Sequence, residues 1–224
     1  MPTSEVHVIG DEARSVLVIE DFVPDLPALC ADAATKSYRQ VQPFYPGIQS
    51  PIDGEEVSEW IAPFQPMLRE AFGAEGDFQF VNAAYSLVTT PPSALAPIQR
   101  LPHVDGTDPL TLAVLVYLSG VDVGGTAFYR HKSTGYEWLD QTRFPQYEKA
   151  LTADARQYGI PGANYVTGDT PLFDQIAKFE SQPGRALIYS GTSLHSGMIV
   201  ETDKLTDDPR TGRLTLNAFF KAER

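Results

Sequence analysis

The stretch LPHVDGTDPLTLAVLVYLSG, residues 101–120, decides the reading of this chain. Its first half is broken by Pro102, Gly106 and Pro109, and its second half is an apolar, β-branched run suited to a strand buried on both faces. His103-Val104-Asp105 stands just before that run. In an extended segment, side chains at i and i+2 leave the same face roughly 7 Å apart along the backbone, so an imidazole and a carboxylate there can converge on one metal ion. Taken alone the triplet is a weak signal, because 29 acids among 224 residues place many histidines near one.

Working outward, FQFVNAAYSLVTT from Phe78, GTAFYRH, RALIYSG and RLTLNAFFK read as further strands, rich in β-branched and aromatic residues between turn signals. Before them, SVLVIE (Ser15 to Glu20) reads as a short strand. A turn then leads into a helix with Asp25 as N-cap ahead of Leu26 and Pro27. Residues 42–51 read as irregular. Residues 54–72 read as a helix carrying Val57, Trp60, Ile61, Phe64 and Leu68 at spacings of three and four, weakened by Pro63 and Pro66. Residues 132–180 read as a less regular insertion whose aromatics (Tyr136, Trp138, Phe144, Tyr147, Tyr158 and Phe173) either shape substrate choice or form a satellite core. The fold class expected is α+β, mainly β, closing into a sandwich or barrel. It is one domain over 1–224, with an N-terminal strand and helices in 1–77 and a β core over 78–220 carrying an insertion at about 131–180.

Seventeen Lys+Arg against 29 Asp+Glu give a net charge of −12, which repels a phosphate backbone and argues against a nucleic-acid partner. The longest apolar run, Leu110 to Leu118, is half a membrane span, and the first residues do not read as a secretory signal. The expectation is a cytoplasmic protein without a membrane partner. The single cysteine, Cys30, has no internal disulfide partner and reads as a small buried hydrophobe.

The order of LPHVDG, a strand, YLSG, GGTAFYR, then ALIYSGTSLHSG about 90 positions after Asp105 and finally GRLTLNAFF resembles the Fe(II)/2-oxoglutarate-dependent oxygenases, within them the prolyl 4-hydroxylase-like branch. The opening VLVIEDFVPD before a helix is similar too. That resemblance implies a double-stranded β-helix, a jelly-roll or cupin-like barrel, with supporting N-terminal helices. It places the Fe(II) ligands at His103, Asp105 and His195. Two imidazoles and one carboxylate leave open positions on the metal, which in the family are taken by 2-oxoglutarate and dioxygen. The halogenating relatives lack this carboxylate, so with Asp105 present the resemblance implies hydroxylation over halogenation.

The distal carboxylate of 2-oxoglutarate needs a buried cation. Arg213 opens the last strand, and alternation puts Arg213, Thr215, Asn217 and Phe219 on one face. Arg213 is therefore the expected partner, with Asn217 on the same face and Lys204 or Arg210 as competitors. The resemblance adds Tyr117 as a second contact to that carboxylate, and Thr89 and Tyr85 as lining residues. Gly124 and Gly125 are expected to allow a tight turn into the next strand, with Tyr129 and Arg130 at the barrel mouth. The implied activity is hydroxylation of an unidentified small-molecule or peptidyl substrate, amino-acid-like ones included, with succinate and carbon dioxide released; a homodimer is left open. The alternatives are a cupin-type metalloenzyme that does not use 2-oxoglutarate and a non-catalytic ligand-binding barrel.

Overall fold

A computed structural model describes residues 2–42, 44–119 and 124–222. In chain order the elements are β1 (Ser4–Ile9), β2 (Arg14–Ile19), α1 (Leu26–Ala33), β3 (Gly47–Ile52), α2 (Glu55–Ile61), α3 (Gln65–Phe72), β4 (Gln79–Val88) and β5 (Thr111–Tyr117). They continue as β6 (Gly124–His131), α4 (Phe144–Tyr158), β7 (Phe173–Glu180), β8 (Ala186–Ser190), β9 (His195–Ile199) and β10 (Leu214–Lys221). Seven strands form a large sheet in the order β1-β2-β8-β5-β10-β4-β3, and three form a smaller one, β7-β6-β9. Every pairing is antiparallel.

The period-two alternation of the central strands builds three layers. Leu17, Ile19, Leu112, Val114, Val116, Ala186, Ile188, Leu214, Leu216 and Ala218 face outward and pack with Leu29, Val57, Ile61 and Leu68 of the N-terminal helices. The residues between them, Val16, Val18, Ala113, Tyr117, Leu187 and Tyr189, face inward and meet Phe128 of the small sheet. Both faces are apolar, so these strands read as unbroken hydrophobic runs. Each fully buried Leu, Ile or Val adds about 1.5–3 kcal/mol. On the far side of the small sheet, Ala127, Tyr129 and Phe173 pack with Tyr147 of α4 and Leu139.

Several local expectations hold. Asp25 caps α1 by accepting from the Ala28 amide at 2.9 Å, a cap of about 1 kcal/mol. The helix expected over 54–72 is split by a 3-10 turn at Ala62–Phe64, where Pro63 withholds a donor. Cys30, expected to be buried, is instead only partly buried, with its thiol 3.5 Å from the Leu118 carbonyl. Gly120, the last residue of YLSG, lies outside the described residues.

Others need correction. Residues 47–52 are not irregular: they form β3, an edge strand on β4 in which Pro51 is tolerated. Residues 132–180 hold a 15-residue helix and end in a strand, β7, paired with β6. Of their aromatics, Tyr147 on the inner side of α4 and Phe173 on β7 are core residues. No helix among the described residues is long and apolar enough to cross a membrane.

Gly125 shows how tightly the small sheet closes. Its φ is +139°, and a Cβ there would stand 2.0 Å from the Phe179 carbonyl oxygen. Gly125→Ala is expected to destabilise the fold by about 2 kcal/mol or more through backbone strain and a parted β6–β7 pair. A lowered urea midpoint would report this, with Gly76→Ala, where nothing lies within 4 Å, as the neutral control.

Candidate functional site

His103 and His195 are joined through their backbones. The His103 amide donates to the His195 carbonyl at 2.8 Å, and the His195 amide donates back at 2.9 Å. This is a hydrogen-bonded antiparallel pair, which sets two side chains side by side on one face; the ring centroids are 4.4 Å apart. Asp105 is held two residues on, its amide donating to the Gly191 carbonyl at 2.7 Å. A Cβ on Gly191 would lie 3.3 Å from the Asp105 Cβ, so the glycine of SGTSLH makes room for the carboxylate.

The three side chains converge. Asp105 lies 3.9 Å from His103 Nε2 through Oδ1 and 3.7 Å from His195 Nε2 through Oδ2, and one ligand atom from each residue lies within 4.8 Å of the others. The His195 ring is buried between Tyr189 and Phe128, whereas that of His103 is half exposed. His195 Nδ1 is 2.9 Å from the Ser193 carbonyl. That contact assigns the proton to Nδ1 and leaves the Nε2 lone pair aimed at the cluster.

Desolvation pushes the His195 imidazole down to about 4. Desolvation and the neighbouring His195 lower His103, and desolvation raises the Asp105 carboxyl to about 6. At neutral pH the site therefore presents two neutral imidazoles and one carboxylate. This donor set fits a divalent transition metal with open positions.

Arg213 sits just before β10 and is 9% exposed. Its guanidinium donates to the Gly125 carbonyl at 3.3 Å and lies against Gly197, where a Cβ would be 3.8 Å from Nη2. Arg213 thus reaches across the interior from the large sheet to β6 and β9 of the small one. Its charge also acts on Tyr45, whose phenol burial pushes up to about 12 while Arg213 works the other way, and on Tyr165. Tyr117, directly across the ladder from Thr215, is 2.7 Å from Thr126 through their hydroxyls. Asn217 donates to the Ser86 hydroxyl at 2.9 Å, as does Gln49.

Other expected residues fall elsewhere. Tyr85 faces the helices, and its hydroxyl donates to Asp32 at 3.1 Å. The Thr89 amide donates to the Pro46 carbonyl at 3.2 Å. Arg130 binds Glu137 and Asp11, and Tyr129 is buried under α4. Lys204 and Arg210 are exposed and pair with Glu201 and Asp208. Sequence reasoning missed Tyr45, Gln49, Ser86, Thr126 and Tyr165. Ser86 and Thr126 were accessible through strand alternation, whereas Tyr45 and Tyr165 lie in connections with no periodic signal.

Solved structures share this architecture. The chain superposes on the non-heme alpha-ketoglutarate-dependent epimerase SnoN from nogalamycin biosynthesis with a TM-score of 0.52 at 12% identity, covering 93% of this chain and 78% of that one. HygX from Streptomyces hygroscopicus, solved with nickel and 2-oxoglutarate, gives 0.52 at 13% identity, covering 94% and 84%. A Pseudomonas putida prolyl-4-hydroxylase gives 0.50 at 14%, covering 95% of each chain. These likenesses establish the fold as the double-stranded β-helix of the Fe/2-oxoglutarate oxygenases, prolyl 4-hydroxylases included, in agreement with the resemblance seen in the sequence. No curated protein matches the chain. Residues 1–220 match the family of unknown function DUF6445, and the chain belongs to that family.

Proposed function

We propose that this chain is an Fe(II)- and 2-oxoglutarate-dependent oxygenase that hydroxylates a C–H bond of an amino-acid-like, peptidyl or other small substrate. The observation that carries the reading is the placing of His103, Asp105 and His195 around one point, with ligand atoms within 4.8 Å, in an interior that also holds the buried Arg213. Iron bound there would, with 2-oxoglutarate and dioxygen, supply the oxidising power that turns C–H into C–OH while the oxo acid leaves as succinate and carbon dioxide.

The chain's own residues do the rest. His195 offers a neutral nitrogen donor kept unprotonated by desolvation, His103 offers a second, lowered by desolvation and by the neighbouring His195, and Asp105 adds the anionic one. Arg213 offers a planar, bidentate cation for the distal carboxylate of the oxo acid. In an acidic chain of net charge −12, a dianion needs such a local cation. The Tyr117–Thr126 hydroxyl pair and the Asn217–Ser86–Gln49 cluster add polar contacts along the same interior. The aromatic rings of Tyr189 and Phe128 against His195 keep water from its inner side.

Anaerobic addition of Fe(II) and 2-oxoglutarate is expected to raise a visible metal-to-ligand charge-transfer band, and admission of oxygen to release succinate; loss of both with iron loaded would overturn the reading. His103→Ala and Asp105→Ala are expected to abolish turnover while the thermal midpoint of the domain stays within a few degrees of the parent. Arg213→Ala is expected to raise the apparent KM for 2-oxoglutarate at least tenfold with iron still bound. An unchanged KM would favour a metalloenzyme that does not use the oxo acid.

A further inference from the structure

The Ser193 carbonyl that fixes His195 lies on a tight turn, its own amide donating to Ser190 at 2.9 Å. Beyond that turn it is supported by the segment running from Glu137 to Leu139. The Leu194 amide donates to the Glu137 carbonyl at 2.8 Å, the Leu139 amide donates to the Thr192 carbonyl at 2.9 Å, and Trp138 and Ser193 form an antiparallel bridge.

Glu137 is also tied on its other side. Its side chain is fully buried, an unusual place for a carboxylate unless it is fully paired. Oε1 accepts from the Asp11 amide at 2.9 Å and from Arg130 Nε at 2.8 Å and Nη2 at 2.5 Å; Oε2 accepts from the Glu12 amide at 2.9 Å. The Glu137 amide donates back to the Glu12 carboxylate at 2.9 Å. Gly10 precedes these donors with a φ of +67°, and a Cβ there would stand 2.1 Å from Glu137 Oε2. The turn between β1 and β2 is thus shaped around this carboxylate. Arg143 completes the closure, holding Glu12 at 2.6 Å and stacking on Trp138 at 4.1 Å.

We propose that Glu137 is a positioning residue for the metal ligand His195, fixing through Ser193 the orientation of the imidazole and tying the N-terminal hairpin to the metal centre. This rests on the reading of His195 as a ligand. Partners that orient a ligating imidazole typically change metal affinity tenfold to a hundredfold when removed. A buried carboxylate that served stability alone would have no such effect.

The test uses the full chain loaded with Co(II), whose ligand-field spectrum reports coordination without turnover. In Glu137→Gln, the amide NH2 must face a backbone N–H or Arg130. The expected result is Co(II) bound about tenfold or more weakly, with an altered visible spectrum at saturating metal. A lowered thermal midpoint with Co(II) affinity and spectrum equal to the parent would overturn the proposal. Should Glu137→Gln not fold, Glu12→Ala, which removes only the partly exposed carboxylate that holds the Glu137 amide, takes its place. It is expected to shift affinity and spectrum in the same direction by a smaller factor, and parent values in it would overturn the proposal. Failure of the parent to bind Co(II) at all would instead remove the ligand reading beneath it.

Discussion

Two reciprocal backbone hydrogen bonds between His103 and His195 hold the centre of this molecule. Among the described residues His103 belongs to none of the strands; it lies in the long connection from β4 to β5 and is tied to His195 by that bridge. A directly opposed, hydrogen-bonded pair puts both side chains on one face whatever their rotamers. A slip of one residue would send one imidazole to the opposite face and dissolve the site. Asp105 follows from the same constraint, since the bridge and the Gly191 carbonyl together fix the extended geometry that turns i and i+2 to one side.

The interior is polar at selected points of an otherwise apolar sandwich. Central strands bury both faces, so each hydroxyl, amide or charge pointing inward must find a partner there. The structure meets that demand in two groups, the His–Asp–His cluster and the set around Arg213, Tyr45, Tyr117, Thr126, Ser86 and Asn217. The first gathers donors that a cation satisfies. The second gathers a cation and hydroxyl groups suited to a carboxylate. Behind the first stands Glu137, a buried carboxylate whose residue is hydrogen-bonded on one side to the N-terminal turn and on the other to the Leu194 amide, in the peptide whose Ser193 carbonyl meets His195 Nδ1.

Much of this was legible in the sequence wherever burial imposed a period. β4, β5, β6, β8 and β10 announce themselves by β-branched and aromatic residues, because both of their faces meet hydrophobic layers. β1 escaped reading although it is β-branched; it is an edge strand whose Val6 and Val8 are exposed, and three other missed strands have other compositions. β3 is an edge strand containing Gly47 and Pro51. β7 carries Asp174, Gln175, Lys178 and Glu180 on the rim of the small sheet. β9 begins with His-Ser-Gly, residues chosen for the site and not for strand propensity. The helix α4 was missed because it packs on the small sheet through one narrow stripe, with Tyr147 its sole fully buried residue among those described.

The sequence by itself determined the mainly-β class, the spacing of His103, Asp105 and His195, and the inward face shared by Arg213, Thr215 and Asn217, because strand geometry is local and alternation follows from it. Only the tertiary structure decided that Tyr85 turns to the helices, that Arg130 is used by Glu137, and that Tyr45 and Tyr165 stand near Arg213. Tyr85, Tyr45 and Tyr165 meet partners about 50 to 170 positions away, while Arg130 and Glu137, only seven apart, are joined around a carboxylate that the distant N-terminal turn also binds, and no periodicity within a short window encodes which partner a side chain will meet.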